Sequence, residues 1–362
     1  MTQISFDSLK PKYQITKPIR LIELFAGIGA QAKALENLGV DFEHYRICEF
    51  DKFAVQSYNA IHGTDFATSD ITRIGGADLG IVDTDKYTYI MTYSFPCQDL
   101  SICGKQKGMS KGGNTRSGLL WEVERLLNEV DNLPNILVME NVIQVHSQKN
   151  RADFNKWISF LGNKGYSNYY SDLNSKNYGV AQNRNRCFMV SILGDYNYEF
   201  PNAVQLDKVM FDYLDEKVDE KYFLSLKCVR YVTNPKKDRF VKINPQIACA
   251  ITARGNSNWN GNFVMCDLAG NLCGKKWEKK FDSFRRVYLH IKLRKLTPRE
   301  CFRLMSFTDE DIDKCYAIGM SDSQLYKQAG NSIVVRVLER IFEQLIYNSD
   351  VLPRRMPQRF SG

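Results

Sequence analysis

A short apolar run ending in a glycine turn constrains this chain most. Ile19-Arg20-Leu21-Ile22-Glu23-Leu24-Phe25 leads into Ala26-Gly27-Ile28-Gly29-Ala30, and Gln31–Leu38 follows with helical spacing. That order is strand, tight turn, helix. The pattern then repeats. Tyr45–Phe50, Tyr87–Ser94, Asn135–Met139 and Arg186–Leu193 read as strands, while Lys52–Ile61, Ser117–Val130 and Asn155–Leu161 read as helices. Strands and helices alternating at this pace predict a parallel, doubly wound sheet. At 362 residues the chain is long enough for about two domains with their own cores.

After about Tyr196 the alternation breaks. Acidic Asp212–Glu220 gives way to basic, Asn/Gly-rich sequence with the short β-prone runs Phe240–Ile243 and Gly261–Met265. Such spacing predicts a small, irregular β-rich domain. Charge follows the same division: residues 221–296 hold 17 Lys/Arg and 4 Asp/Glu, a surplus of +13 in a chain of net charge +8, so the rest carries −5. A lysine run is usually a solvated surface, whereas a surplus confined to one segment suits a polyanion. Charge alone leaves the two readings even. Thr297-Pro298-Arg299-Glu300 then opens a helix with a capping box and a first-turn proline, and Asn331–Ile346 reads as a last amphipathic helix.

Composition narrows the function classes. No apolar run approaches the roughly 18 residues of a membrane helix, and the first residues lack a signal-peptide core, so no membrane partner is expected. None of the ten cysteines pairs at C-x-x-C spacing and none of the four histidines stands four residues from another, so no metal centre is expected. Free thiols point to a reducing, cytoplasmic compartment.

Candidate chemistry gathers at strand ends. Glu49 closes the second strand 20 residues after Gly29, the layout of a nucleotide-binding unit whose glycines admit the cofactor and whose acid bonds the ribose. The third glycine of the dinucleotide fingerprint is missing, so S-adenosylmethionine, an adenosine cofactor without pyrophosphate, fits better. Phe50 suits stacking on adenine and Asp70 suits its amino group, although an aspartate in Ser69-Asp70-Ile71-Thr72 is, taken singly, more often a helix cap. Ser94-Phe95-Pro96-Cys97-Gln98 and Glu140-Asn141-Val142 close two further strands at the carboxyl edge, where such sheets bind substrates. Most cysteines are inert and structural; one at a strand end beside proline is a candidate nucleophile. Glu140 beside it suits an acid serving a ring nitrogen. In Gln182-Asn183-Arg184-Asn185-Arg186 two arginines share one face of an extended segment, suited to a phosphate, a carbonyl oxygen or a solvated edge.

These motifs stand in order with Gly104-Lys105-Gln106-Lys107-Gly108, Arg294-Lys295-Leu296-Thr297-Pro298-Arg299-Glu300 and Gly330-Asn331-Ser332. Over nearly its whole length the sequence resembles the DNA (cytosine-5) methyltransferases of bacterial restriction–modification systems. It departs from their usual pattern at Ala30, at Phe50 in place of tryptophan, and at Ser94 and Asp99 around the Pro-Cys segment. The resemblance implies an α/β, Rossmann-like S-adenosylmethionine-dependent methyltransferase domain with a smaller, β-rich target-recognition domain. The boundaries it implies are 1–196 for the catalytic domain, 197–291 for target recognition, 292–325 for a hinge and connecting helix, and 326–362 for a C-terminal part completing the catalytic domain.

The resemblance also implies roles. Cys97 would add to C6 of a flipped-out cytosine, Glu140 would bond N3 and the exocyclic amine, and Arg186, with Arg184 beside it, would hold O2. Phe25, Ala26, Gly27, Gly29, Glu49, Phe50, Asp70, Ile71, Leu119, Asn331 and Ser332 would hold S-adenosylmethionine, which leaves as S-adenosylhomocysteine. Gly104–Asn114 would close over the base, with Ser101, Lys105, Gln106 and Arg116 near the DNA. Arg254 and Asn256 suit base-edge reading, although a phosphate contact is the commoner fate of such residues. The expected partner is double-stranded DNA, met by a metal-free monomer in the bacterial cytoplasm or nucleoid. A tRNA cytosine methylase with the same core stays open as an alternative. An inactive DNA-binding relative is disfavoured by the intact Cys97, Glu140 and Arg186, and a nicotinamide dehydrogenase by the missing third glycine.

Overall fold

The computed structural model describes residues 10–100, 107–113, 115–234, 236, 241–255, 260–273 and 291–347. Its centre is a sheet of β1 (Ile19–Leu24), β2 (Phe42–Cys48), β3 (Thr88–Tyr93), β4 (Ile136–Val142), β5 (Tyr166–Asn174) and β7 (Asn185–Leu193), in the order β2-β1-β3-β4-β7-β5. The intervening β6 (Gln182–Asn183) pairs outside this sheet. β2, β1, β3 and β4 are parallel, and the order reverses between β1 and β3, which makes a crevice at their carboxyl ends.

The expectation of an all-parallel sheet is corrected at one edge. β7 runs antiparallel to both β4 and β5. Only ten residues separate Asn174 from Asn185, too few for the crossover that parallel neighbours need. The reversal matters for function, because β7 starts at the carboxyl edge and pairs Arg186 with Val142.

Both faces of the sheet are buried, and the strands alternate accordingly. Ile136 and Val138 of β4 join one core with Phe188, Val190 and Ile192 of β7; Leu137 and Met139 join the other with Cys187 and Met189. α1 (Ala30–Asn37) and α2 (Lys52–His62) serve the first core, α3 (Leu120–Glu129) and α4 (Arg151–Asn163) the second. Asp51 caps α2 by accepting from the Phe53 N–H, and Gly63 ends it in the left-handed region.

The region expected to serve target recognition has its own small sheet, β11-β10-β8, built from β8 (Val241–Ile243), β10 (Gly261–Asp267) and β11 (Ile291–Lys295). With α5 (Leu226–Val232) it encloses Val229, Val232, Val241, Phe263, Met265 and Leu293. The alternate β10 residues Val264 and Cys266 face the first core of the large sheet. β11 therefore belongs structurally with this small sheet, although it runs past residue 291. β9 (Ala248–Cys249) leaves the small sheet to pair parallel with β6.

After β11, Thr297 and Glu300 make the expected capping box on α6 (Pro298–Leu304). Glu300 also takes a buried, two-pronged ion pair from Arg294, at 2.7 and 2.9 Å. α7 (Asp309–Ala317), α8 (Asp322–Asn331) and α9 (Val335–Ile346) complete the first core. The helix expected over Asn331–Ile346 is shorter: Asn331 ends α8, and an extended break at Ser332–Val334 precedes α9. No helix among the described residues is long and apolar enough to cross a membrane.

Candidate active site

The turn after β1 is held by backbone and carboxylate together. Phe25 takes a positive φ of 60°, and its N–H reaches the Cys48 carbonyl at 2.6 Å. The Gly27 N–H donates to Oε2 of Glu49 at 2.9 Å, while Oε1 accepts from the Asp51 N–H at 2.8 Å. Burial raises the Glu49 carboxyl and these two bonds draw it back down. The two glycines differ in kind. A Cβ on Gly27 would meet nothing within 4 Å, so its open side can admit a ligand, whereas one on Gly29 would lie 2.3 Å from Nε2 of His62.

Around that opening the expected cofactor residues divide. Phe50 is 77% exposed, an aromatic face with nothing on it. Asp70 accepts from the Thr72 N–H and hydroxyl, which lower its pKa; it caps a turn at residues 71–73, where no helix follows as the helix-cap alternative required. Ile71 is buried, and Leu119 packs half-buried on the second core below. Ser332 is buried while Asn331 is exposed.

The thiol site forms where β3 and β4 end and β7 begins. Three side chains brace the Pro-Cys loop. Asn141 Nδ2 donates to the Phe95 carbonyl at 2.9 Å, and Ser117 Oγ to the Pro96 carbonyl at 2.7 Å. Buried Asp99 accepts from the Arg116 N–H at 2.8 Å. Half-buried Cys97 is thereby fixed near Glu140, Arg186 and Arg184. Burial raises its thiol pKa, Glu140 raises it further, and the two arginines pull it back. The Glu140 carboxyl is likewise raised by burial and lowered by Arg186 and Arg184. Its Oε1 lies 3.1 Å from Nε of Arg186 yet lacks a well-aligned hydrogen bond, which leaves a buried acceptor free for a substrate donor.

Arg184, named beside Arg186 in the catalytic set expected from sequence, bonds backbone carbonyls. Its Nη1 donates to the Ile251 carbonyl at 2.8 Å, and Nη2 donates to the carbonyls of Gly330 and Ser332 at 3.1 and 2.7 Å. The two arginines are not equivalent: Arg186 faces Glu140, and the terminal nitrogens of Arg184 are spent on backbone.

Of the DNA-contact residues expected from sequence, Ser101, Lys105, Gln106 and Asn256 lie outside the described residues. Arg116 is exposed and hydrogen-bonds Gln98, and Arg254 is exposed. What is described of the glycine–lysine loop is anchored: Trp121 Nε1 donates to the Met109 carbonyl, and Thr115 Oγ1 to that of Gly108.

Sequence spacing missed two clusters of metal-ligand types among the described residues, one of them His146, Asp172 and Cys187. In the other, α1, β2 and the end of α2 bring Glu36, His44 and His62 together, within reach of a common ion. The group is closed by hydrogen bonds instead. His62 Nδ1 meets Glu36 at 2.5 Å and its Nε2 meets the Ile28 carbonyl at 3.1 Å; His44 Nδ1 meets the Tyr58 hydroxyl, which donates to buried Glu23. No local pattern announces it, because the partners come from three separate elements.

The profile of the C-5 cytosine-specific DNA methylases matches residues 19–347. The chain is 31% identical to the type II methyltransferase M2.ScrFI of Lactococcus lactis subsp. cremoris, over 90% of this chain and 99% of that protein. It is equally identical, at 31%, to the orphan methyltransferase M.SssI of Spiroplasma monobiae, over 91% of this chain and 98% of that one. Among solved structures, the Entamoeba histolytica methyltransferase EhMeth superposes with a TM-score of 0.70 at 19% identity, covering 91% of this chain and 98% of that one. The S. pombe Dnmt2 methyltransferase gives 0.67 at 21%, covering 90% and 97%.

Proposed function

This chain belongs to the C-5 cytosine-specific DNA methylases, and we propose that it acts through Cys97, Glu140 and Arg186 on a cytosine flipped out of duplex DNA. It is a DNA cytosine-5 methyltransferase of the restriction–modification or orphan kind. The observation that carries the residue assignment is the meeting of a braced thiol, a buried carboxyl with a free acceptor and an arginine at one sheet edge.

Cytosine C5 is a poor nucleophile until C6 has been attacked. The Cys97 thiolate forms a bond to C6, and the electron pair moves towards C5. Glu140 bonds N3 and the exocyclic amine, its unfilled Oε1 accepting from the amine N–H. Arg186 supports the negative charge that spreads to O2. Once the electron pair has bonded a methyl group at C5, loss of the C5 proton and breaking of the C6–S bond restore the ring and the thiolate. The Gly27 opening, Glu49 and exposed Phe50 fit S-adenosylmethionine, whose sulfonium supplies an electrophilic methyl group when bound. The chemistry needs no metal, and the +13 segment supports duplex DNA as the polyanion. The enzyme works as a monomer in the cytoplasm or nucleoid of a bacterium.

The test is a trapped adduct. A duplex amplified with 5-fluorocytosine in place of cytosine cannot lose its C5 substituent, so wild type plus S-adenosylmethionine should give a denaturation-resistant band mapping to Cys97. Cys97→Ser should give none, because a hydroxyl is far less ionised than a thiol. A folded Cys97→Ser protein that still methylates, or an adduct on Cys48, would remove the assignment.

A further inference from the structure

Arg184 lies two residues before Arg186, and it shares one target with Gln182. Gln182 Oε1 accepts from the Ile251 N–H at 2.9 Å, while Arg184 Nη1 donates to the Ile251 carbonyl at 2.8 Å. Both backbone polar groups of one residue are thus gripped by side chains from the segment that becomes the catalytic strand. Each gripping side chain is buried, and each has a second anchor. Gln182 Nε2 donates to the Leu304 carbonyl at 2.7 Å, and Arg184 Nη2 holds the carbonyls of Gly330 and Ser332.

Ile251 opens the segment that carries Arg254, and the same segment is pressed on the catalytic side by direct backbone contact. A Cβ on Gly330 would lie 2.0 Å from the Ala253 nitrogen, and one on Gly255 would lie 2.9 Å from the Tyr326 ring. β6 pairs with β9 just upstream, Gln182 opposite Ala248 and Asn183 opposite Cys249. Hydrogen bonds, strand pairing and close backbone approach together tie residues 248–255 to the strand of Arg186.

We propose that Gln182 and Arg184 are positioning residues that carry base-pair recognition into the catalytic strand through their shared grip on Ile251. The inference rests on the functional reading above, with Arg186 at the base, and takes exposed Arg254 as the residue of this segment that meets DNA. A mismatched base pair that displaces this segment pulls on Ile251, and the rigid grip passes the displacement to Arg186, so poor sites lose rate as well as affinity. A loosened grip lets the segment shift alone, and poor sites are then methylated.

The test works whatever sequence the enzyme recognises, because the wild type defines the motif. Wild type, Arg184→Lys and Gln182→Met are expressed in a bacterial host without cytosine methylation, and 5-methylcytosine is mapped genome-wide by bisulfite sequencing. Lysine keeps the charge but presents its donors from one atom and cannot reach three carbonyls. Gln182→Met removes the side-chain hydrogen bonds of Gln182 to Ile251, Leu304 and Met305 and leaves the guanidinium in place. At matched total methylation, sites one base pair from the wild-type motif should rise relative to that motif by about tenfold in each variant. A merely structural role lowers methylation at all sites in proportion and leaves this ratio unchanged; that result, in variants with a wild-type urea midpoint, overturns the proposal. Gln182→Met decides alone if Arg184→Lys fails to fold. Absence of 5-methylcytosine with the wild type itself would instead overturn the underlying functional reading.

Discussion

Gly27 and Glu49 are joined by a 2.9 Å hydrogen bond that ties the loop after β1 to the end of β2. One carboxylate therefore shapes the turn and also stands ready for a ligand hydroxyl. Glu49→Ala should weaken S-adenosylmethionine binding by about 1–3 kcal/mol, the scale of hydrogen bonds to a charged group. Glu49→Gln, which keeps one acceptor oxygen, should lose less. Titration calorimetry on folded variants checks both; unchanged affinity in Glu49→Ala would take Glu49 out of the site.

The two glycines of the turn should separate stability from binding. Gly29→Ala meets the His62 ring at 2.3 Å on a backbone with φ of 77°, so it should cost roughly 2–4 kcal/mol of stability. Gly27→Ala carries only the conformational penalty, about 1–2 kcal/mol, yet projects into the open side and should lose cofactor affinity more than stability. Thermal unfolding beside calorimetry would show whether the two effects divide this way.

The Cys97 thiol is raised by burial and by Glu140. Alkylation by iodoacetamide should therefore be slow at neutral pH and quicken as pH rises. Removing the negative charge in Glu140→Gln lowers the thiol pKa, so alkylation of Cys97 at pH 8 should speed up even as methylation falls. Peptide mass mapping separates Cys97 from the half-buried Cys228, Cys249 and Cys273. A slower Cys97 in Glu140→Gln would contradict the electrostatic account.

Glu23 is fully buried under the glycine turn, and burial pushes its carboxyl up to about 7. Between about 4.5 and 7 the folded protein holds a proton that the unfolded chain has released, so this group lowers stability as pH rises through that window. His44, pushed down to about 4 by burial and His62, acts in the opposite sense below 6.5. The difference between wild type and Glu23→Gln isolates the first effect. Urea midpoints should favour the variant increasingly from pH 5 to pH 7 and by a constant amount above; a difference independent of pH would show that Glu23 keeps an ordinary pKa.

Much of the site could be read from sequence because strand ends are punctuated. Gly27 and Gly29, Pro96 before Cys97, and Glu140-Asn141 after an apolar run each mark the carboxyl edge of a strand. β5 escaped because Tyr166–Asn174 is a polar, tyrosine-rich edge strand without an apolar run, and with it went the reversal of β7. The partners of Arg184 escaped for a different reason. Its acceptors are carbonyls 67, 146 and 148 residues away, and a carbonyl has no residue-type signature. The Asn141 and Ser117 braces on the Pro-Cys loop are hidden in the same way.

α9 packs against α1, with Asn37 Nδ2 donating to Glu339 at 2.7 Å and the Tyr347 hydroxyl to the Leu38 carbonyl at 3.0 Å. On the ribosome this has a consequence in time. Chains emerge from their amino end at roughly 5–20 residues per second, so the thiol loop and residues 251–255 leave the ribosome while the cover of α1 is still untranslated. Until Val335–Ile346 follows, the growing polypeptide displays the apolar flank of its cofactor lobe. The first core is thus closed only when this late helix docks on α1.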